Sequence, residues 1–166
     1  MKHVILETNR LLITSPTIQY AEDIYEYSRD TKFCEFLTTN PPNQIDESIK
    51  FIKNLVSDNS SGKRCYWMLL LKKEKKAIGT MGFIFHNQQK VGDAEFGYGI
   101  GRKYWGKGIF KEAAMEIINH GFNILELNKI RVRTRIDNIA SIKAVEKLGF
   151  TKMNVLKDYY YTLESI

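Results

Sequence analysis

The stretch "AEFGYGIGRKYWGKGIFKEA", residues 94–113, changes its period partway along. Its first seven residues read as a strand. Two glycines, Gly106 and Gly108, then stand among aromatics and lysines. Helical spacing follows at once, with Ile109, Ala113 and Ile117 beside Phe110, Ala114, Ile118 and Phe122. Downstream, "KIRVRTRI" (129–136) alternates strictly and reads as a second strand. Residues 94–100, 107–124 and 129–136 therefore form a β-α-β unit. Its crossover is right-handed and its two strands are parallel. Ligands of such sheets bind at the carboxyl ends of the strands, where the glycines lie.

Two readings of the glycines compete. They make a tight turn and nothing more, or they bare a backbone on which an anion sits. A helix start offers unpaired N–H groups and the positive end of the macrodipole. Glycine lets that backbone approach a phosphate closely, and Lys103, Lys107 and Lys111 add charge. The spacing K-x-x-G-x-G is neither a nucleoside triphosphate loop nor a dinucleotide fingerprint. Alone, it leaves both readings open.

Working outward, 166 residues with 43% apolar content fit one domain with a real core. A formal net charge of +6 suits a polyanionic small ligand as well as RNA. Cys34 and Cys65 stand in unrelated contexts and read as reduced thiols. The start of the chain lacks an apolar signal region, and "CYWMLLL" is too short to span a bilayer, so the expected compartment is the cytoplasm. Breakers at "TTNPPN" (38–43) and "SDNSSGK" (57–63) read as loops. A strand is expected at 11–13. Helices are expected over 18–28 and 32–37, with a third, capped or opened by Asp46, carrying Ile45, Ile49, Ile52 and Val56. "RCYWMLLL" and "AIGTMGFIFH", joined by the polar "KKEKK", begin an antiparallel meander that 94–100 completes. "NIASIKAVEKLGF" (138–150) is a helix closed by Gly149, and the last sixteen residues make one or two strands. The fold class is α+β, in three layers. A mixed, mostly antiparallel twisted sheet carries helices on both faces.

"IGTMGF" (78–83), "AEFGYGIG" (94–101), "YWGKG" with "KEA" (104–108, 111–113), "LNKIRVRT" (127–134) and "DNIASIKAVEKLGF" (137–150) occur in that order. On these pieces the chain resembles the GNAT superfamily of acetyl-CoA-dependent N-acetyltransferases. In particular it is similar to the branch containing the ribosomal-protein N-terminal alanine acetyltransferases. The resemblance runs from residue 6 to residue 150. It implies a single N-acetyltransferase domain over 1–166, acetyl-CoA as donor and a primary amine as acceptor. The acceptor is a protein N-terminus or a small molecule such as an amino sugar, aminoglycoside or polyamine. A non-catalytic acyl-CoA-binding module on the same scaffold is the alternative.

The resemblance also implies site residues. The pyrophosphate loop, Q/R-x-x-G-x-G/A in the family, falls on Lys103, Tyr104, Trp105, Gly106, Lys107 and Gly108, with Ile109 opening the helix. Lys103 departs from the Gln/Arg of the pattern. Gly99, Ile100 and Gly101 would pair with the pantetheine arm. A bulge in this strand would splay it from the strand at 129–136 as the central parallel opening, and Gly97, Gly99 and Gly101 are compatible with one. Asn138 matches the asparagine that meets the pantetheine amide, and Ser141 lies one turn on. Glu95 is the candidate general base and Ser141 the candidate donor to the departing thiolate. Many relatives use a tyrosine acid four residues after that serine; here the position is Val145. Tyr98, Tyr159 and Tyr160 could supply a hydroxyl, although core or rim packing is the simpler reading.

No metal spacing is visible, since His3, His86 and His120 are scattered, and no order suggests a covalent nucleophile. Lys129, Arg131, Arg133 and Arg135 share one strand face. That face is solvated, or it meets an acidic acceptor or the ligand phosphates; nucleic acid is the poorer fit, with no RNA-binding motif beside the charge. The resemblance implies acceptor walls at 33–42 and 154–161. A short final hairpin would leave that side open, or leave a second subunit to close it as a homodimer.

Overall fold

"RCYWMLLL" is apolar at nearly every position because its strand is buried on both faces. The computed structural model describes residues 4–86, 92–153 and 159–164, and among them one sheet of eight strands. The strands are β1 (Leu6–Glu7), β2 (Leu11–Thr14), β3 (Arg64–Leu71), β4 (Lys76–Ile84), β5 (Asp93–Ile100), β6 (Lys129–Thr134), β7 (Thr151–Met153) and β8 (Tyr159–Glu164). Their spatial order is β1-β2-β3-β4-β5-β6-β8-β7. Only β5 and β6 pair in parallel. The helices are α1 (Ala21–Ser28), α2 (Thr31–Cys34), α3 (Ile45–Ser60), α4 (Ile109–Asn123) and α5 (Ile139–Glu146).

Alternation along β3 divides the core. Cys65, Trp67, Leu69 and Leu71 join Phe83, Phe96, Ile130 and Val132 under Ile109, Ala113 and Ile117 of α4 and Val145 of α5. Met68 and Leu70 point the other way, against Ala21 and Ile24 of α1 and Ile52 of α3. Helices therefore cover both faces, and the antiparallel meander β3-β4-β5 feeds the β5-α4-β6 crossover as expected.

Several boundaries differ from the sequence reading. The first helix divides into a 3₁₀ turn, Ile18–Tyr20, and α1. The second is one turn, Thr31–Cys34, opened by Asp30, whose carboxylate accepts from Lys32 N. Asp46 does not cap α3: Gln44 holds that position, and the Glu47 carboxylate reaches back to the Asn43 and Gln44 N–H groups at 2.9 and 3.2 Å. The polar run 57–60 is the last turn of α3, and the loop begins where Gly62 turns left-handed at φ 74°. Helix α4 starts at Ile109, two residues late, because Gly106 and Gly108 hold φ 71° and 73°, outside helical space. Strand β6 stops at Thr134. The left-handed Gly149 lies two residues past the end position of α5, Lys147. The strand β1 went unread, because two residues carry no period.

Strand β2 pairs with β3 only from Met68 to Leu71. Next to that ladder, Asn59 at the end of α3 stands in for a missing partner. Its Nδ2 donates to Tyr66 O and its Oδ1 accepts from Tyr66 N, both at 2.9 Å and buried. Asn59→Ala would leave two buried main-chain groups unpaired. It should cost about 3 kcal/mol in denaturant unfolding, with little change in slope.

Candidate functional site

Strands β5 and β6 pair at Asp93–Lys129, Ala94–Ile130 and Glu95–Arg131, and no further. From Phe96 on, β5 keeps its full antiparallel ladder with β4 while its other edge is open. Gly101 N donates to Ile78 O at 2.8 Å, on the β4 side. Strand alternation then turns the main-chain N–H and C=O groups of Tyr98 and Ile100 toward the opening. Gly99 directs its groups to β4, as does the Gly101 N–H, while the Gly101 carbonyl accepts from Tyr104 N at 2.9 Å. Of the expected pantetheine-pairing stretch, Ile100 thus offers its N–H and the two glycines do not.

The expected bulge in this strand is absent: the β4–β5 register runs unshifted from Glu95 to Ile100. The glycines have another use. A Cβ on Gly97 would lie 1.9 Å from the Tyr66 hydroxyl, one on Gly99 3.1 Å from the Phe33 ring, and one on Gly101 2.8 Å from Tyr27 Cβ. Three aromatics thus lie against β5, on the face that Glu95 shares. Phe33 belongs to the segment expected as an acceptor wall. The other wall, 154–158 with the side chains of Tyr159 and Tyr160, lies outside the described residues, as does the length of the final hairpin.

At the end of β5 the chain makes a 3₁₀ turn, Arg102–Tyr104, and the Trp105 indole N–H donates to Ile100 O at 2.6 Å. The first bond of α4 runs from Glu112 N to Gly108 O. The N–H groups of Ile109, Phe110 and Lys111 precede it and have no partner within the helix. An added Cβ at Gly106 would meet nothing within 4 Å, so that glycine serves its left-handed backbone rather than close packing. The lysines divide. Lys103 points to Glu74 at 3.5 Å, beside the Tyr104 hydroxyl that donates to the same carboxylate at 2.8 Å, and neighbouring Arg102 pairs with Asp30 at 2.6 Å. Among the described residues Lys107 and Lys111 make no ion pair, leaving the two cations nearest the helix start unneutralised. An exposed backbone with a left-handed turn on each side of Lys107, and free cations alongside, fits a diphosphate.

Sequence reasoning missed what braces this loop. The Arg10 guanidinium donates to Lys107 O at 2.8 Å and to Glu112 Oε2 at 2.6 Å. Arg10 N and the Thr8 hydroxyl both donate to Glu112 Oε1, at 2.8 and 2.6 Å. Burial acts to raise the Glu112 carboxyl, but the hydrogen bonds from Thr8 and Arg10 outweigh it and hold it below the ordinary range. No local pattern joins residues 8–10 to residue 112; only the fold does.

Glu95 is mostly buried beside the splay. Its carboxylate meets His86 Nε2 at 3.1 Å and Arg133 at 3.7 Å. The row of β6 cations is largely spent on carboxylates: Arg131 binds Asp93 at 2.8 Å and Arg135 binds Asp137 at 3.0 Å. A row of arginines free for an acidic acceptor or for phosphates is therefore not what β6 presents.

Across the opening, Asn138 begins α5, its Oδ1 accepting from Ser141 N at 3.0 Å. The Ser141 hydroxyl meets the Tyr98 hydroxyl at 2.5 Å. Burial pushes the Tyr98 phenol up to about 12. Val145 is wholly buried and offers no acid. A cleft of about 820 Å³ lies at the opposite end of β5, between Trp67, His120 and Asn128, away from Tyr98, Asn138 and Ser141.

Against this geometry stand the relatives. The model of the acetyltransferase (GNAT) domain matches residues 10–151. An uncharacterized N-acetyltransferase of Bacillus licheniformis, p20, is 30% identical over 154 residues, 93% of this chain and 86% of that protein. A crystal structure of the microcin C7 self-immunity acetyltransferase MccE, in complex with acetyl-CoA and AMP, has a TM-score of 0.83 at 22% identity, covering 95% of this chain and 94% of that one. The ribosomal-protein-S5-alanine acetyltransferase of Vibrio fischeri has a TM-score of 0.81 at 19% identity, covering 97% and 96%. At these identities the two structures speak for the fold.

Glu112 has a depressed folded-state carboxyl, so its stabilisation is present above the unfolded value near 4.3 and is lost as pH falls through the folded one. Glu112→Gln should therefore lower stability at neutral pH and narrow the gap to the parent in acid, as read by urea midpoints across pH. Gly97→Ala drives a Cβ into the Tyr66 hydroxyl. It should slow acceptor turnover far more than it weakens binding of CoA.

Proposed function

The chain belongs to the acetyltransferase (GNAT) family, and on that premise we propose which of its residues carry acetyl transfer from acetyl-CoA to a primary amine. The observation that supports this assignment is the three-pair β5–β6 ladder, which leaves a strand edge open directly above a glycine-flanked helix start. The N–H groups from Gly106 to Ile109 would hold the diphosphate, with Lys107 beside them. Trp105, through its bond to Ile100 O, fixes the turn that leads into the loop. The pantetheine would run along the open edge, meeting the main chain of Tyr98 and the N–H of Ile100 on one side and the Asn138 amide on the other. Lys103, turned to Glu74, contributes charge rather than contact. When bound, the donor supplies an activated thioester carbonyl.

The remaining chemistry falls to the chain. An amine must be neutral to attack. Glu95 takes its proton, directly or through water, and His86 connects the carboxylate to solvent. An N–H of the open β5 edge polarises the carbonyl oxygen. Ser141 donates a hydrogen bond to the sulfur as the carbon–sulfur bond breaks. Tyr66, Phe33 and Tyr27 line the side from which the amine approaches. The acceptor is a protein N-terminus or a small-molecule amine.

We read residues 1–166 as one catalytic domain working in the cytoplasm. Among the described residues no helix is long and apolar enough to cross a membrane, and Cys34 and Cys65 are free thiols.

Acetyl-CoA thiol release screened across peptide, amino-sugar, aminoglycoside and polyamine acceptors should find a substrate. With that substrate, Glu95→Gln should lower kcat about 100-fold while leaving CoA binding intact. Turnover at the parent rate would remove Glu95 from the mechanism. CoA at 100 times its Kd should raise the thermal midpoint, by an added stability of about 2.7 kcal/mol. No shift at saturating CoA would overturn the donor site.

A further inference from the structure

Beyond Glu95 the two strands part, and one side-chain bond reaches from the open edge of β5 to α5: Tyr98 to Ser141, 2.5 Å between oxygens. The Tyr98 ring is fixed on both sides. Phe96 lies 5.8 Å away and Phe110, in the first turn of α4, 4.6 Å between ring centres. Ser141 is fixed too, because its N–H donates to the Asn138 side chain that opens α5. Neither hydroxyl can drift from the other without repacking the start of a helix.

A phenol is the stronger acid and an aliphatic hydroxyl oxygen the better acceptor, so the favoured arrangement has Tyr98 donating to Ser141 Oγ. The Ser141 proton must then point elsewhere, away from Tyr98. This matters because serine is far too weak an acid to surrender its proton to a thiolate outright. What it can give is a well-aimed hydrogen bond, and a free hydroxyl rotor does not aim. Burial keeps the phenol in its donating form across the working range. Val145, one turn further along α5, is wholly buried and has no hydroxyl to offer.

We propose that Tyr98 is a positioning residue: its hydroxyl donates to Ser141 and thereby turns the Ser141 proton toward the sulfur of the departing CoA. This rests on the reading of Ser141 as the group facing that sulfur. No proton is transferred between the two residues. The electron pair of the broken carbon–sulfur bond stays on sulfur, where the aimed O–H stabilises it.

The test needs no acceptor. CoA and desulfo-CoA differ only at the sulfur, and their affinities are compared by calorimetry in buffer alkaline enough to ionise the thiol. The parent should prefer CoA by about 10-fold or more, the scale of a hydrogen bond to a charged group. Ser141→Ala should abolish the preference. Tyr98→Phe should reduce it to within about two-fold of Ser141→Ala, with desulfo-CoA affinity unchanged, and the double variant should match Ser141→Ala. Ser141→Thr, which keeps a hydroxyl, should retain the preference only while Tyr98 is present. If Ser141→Ala keeps the parent preference, the reading of Ser141 fails. If Ser141→Ala loses it and Tyr98→Phe keeps it, the positioning role fails and the reading of Ser141 stands. If Tyr98→Phe loses desulfo-CoA and CoA affinity equally, Tyr98 is a packing residue and the proposal is overturned.

Discussion

A strand whose neighbour leaves it must satisfy its main-chain groups some other way, and the rest of this molecule is arranged around that constraint. Strand β5 loses β6 after three residue pairs. Its remaining edge, at Phe96, Tyr98 and Ile100, is a row of donors and acceptors inside a protein rather than at its rim. The Trp105 indole takes one of these groups, Ile100 O. The others face the opening, where the proposed pantetheine would pair with them. A chain able to close that edge with protein would have no cleft.

Keeping the edge open requires that both walls be held. On the helix side, Arg10 and Thr8 converge on Glu112 and tie the β1–β2 turn to the first turn of α4. Arg10 also fixes Lys107 O, between the two left-handed glycines. On the sheet side, β4 stays in unbroken register with β5, so the splay comes from β6 departing rather than from β5 buckling. The glycines of β5 serve the opposite face, where side chains would collide with Tyr66, Phe33 and Tyr27. Across the gap, Tyr98 and Ser141 join the walls through their hydroxyls.

Much of this was legible from local pattern. The apolar run of β3, the alternation of β6 and the helical stripe of α4 each carry their own period, and the change of period at Gly106–Gly108 marks the loop. Glu95, Asn138 and Ser141 came from the family resemblance rather than from local pattern, and all three lie at the margins of one opening. Other features were not legible. The resemblance implied a bulge with which Gly97, Gly99 and Gly101 were compatible, because spacing cannot distinguish a bent strand from a crowded one. The β6 arginines suggested a free basic face, because alternation shows which side a residue takes but not which carboxylate waits there. His86 looked scattered until the β4–β5 hairpin set it beside Glu95.

By itself the sequence determined the β3-β4-β5 meander, the β5-α4-β6 crossover and the glycine-flanked helix start, since each element there carries its own period or turn signal, whereas the two residues of β1 carry none. It also determined that Val145 cannot act as an acid. Only the tertiary structure decided how far β5 and β6 stay paired, which lysines remain unneutralised and which hydroxyl meets Ser141. Those outcomes depend on side chains such as Thr8 and Glu112, or Tyr98 and Ser141, that are remote along the chain. Periodicity reports the face a residue takes within its own element. Its partner across a cleft is set by how the elements pack.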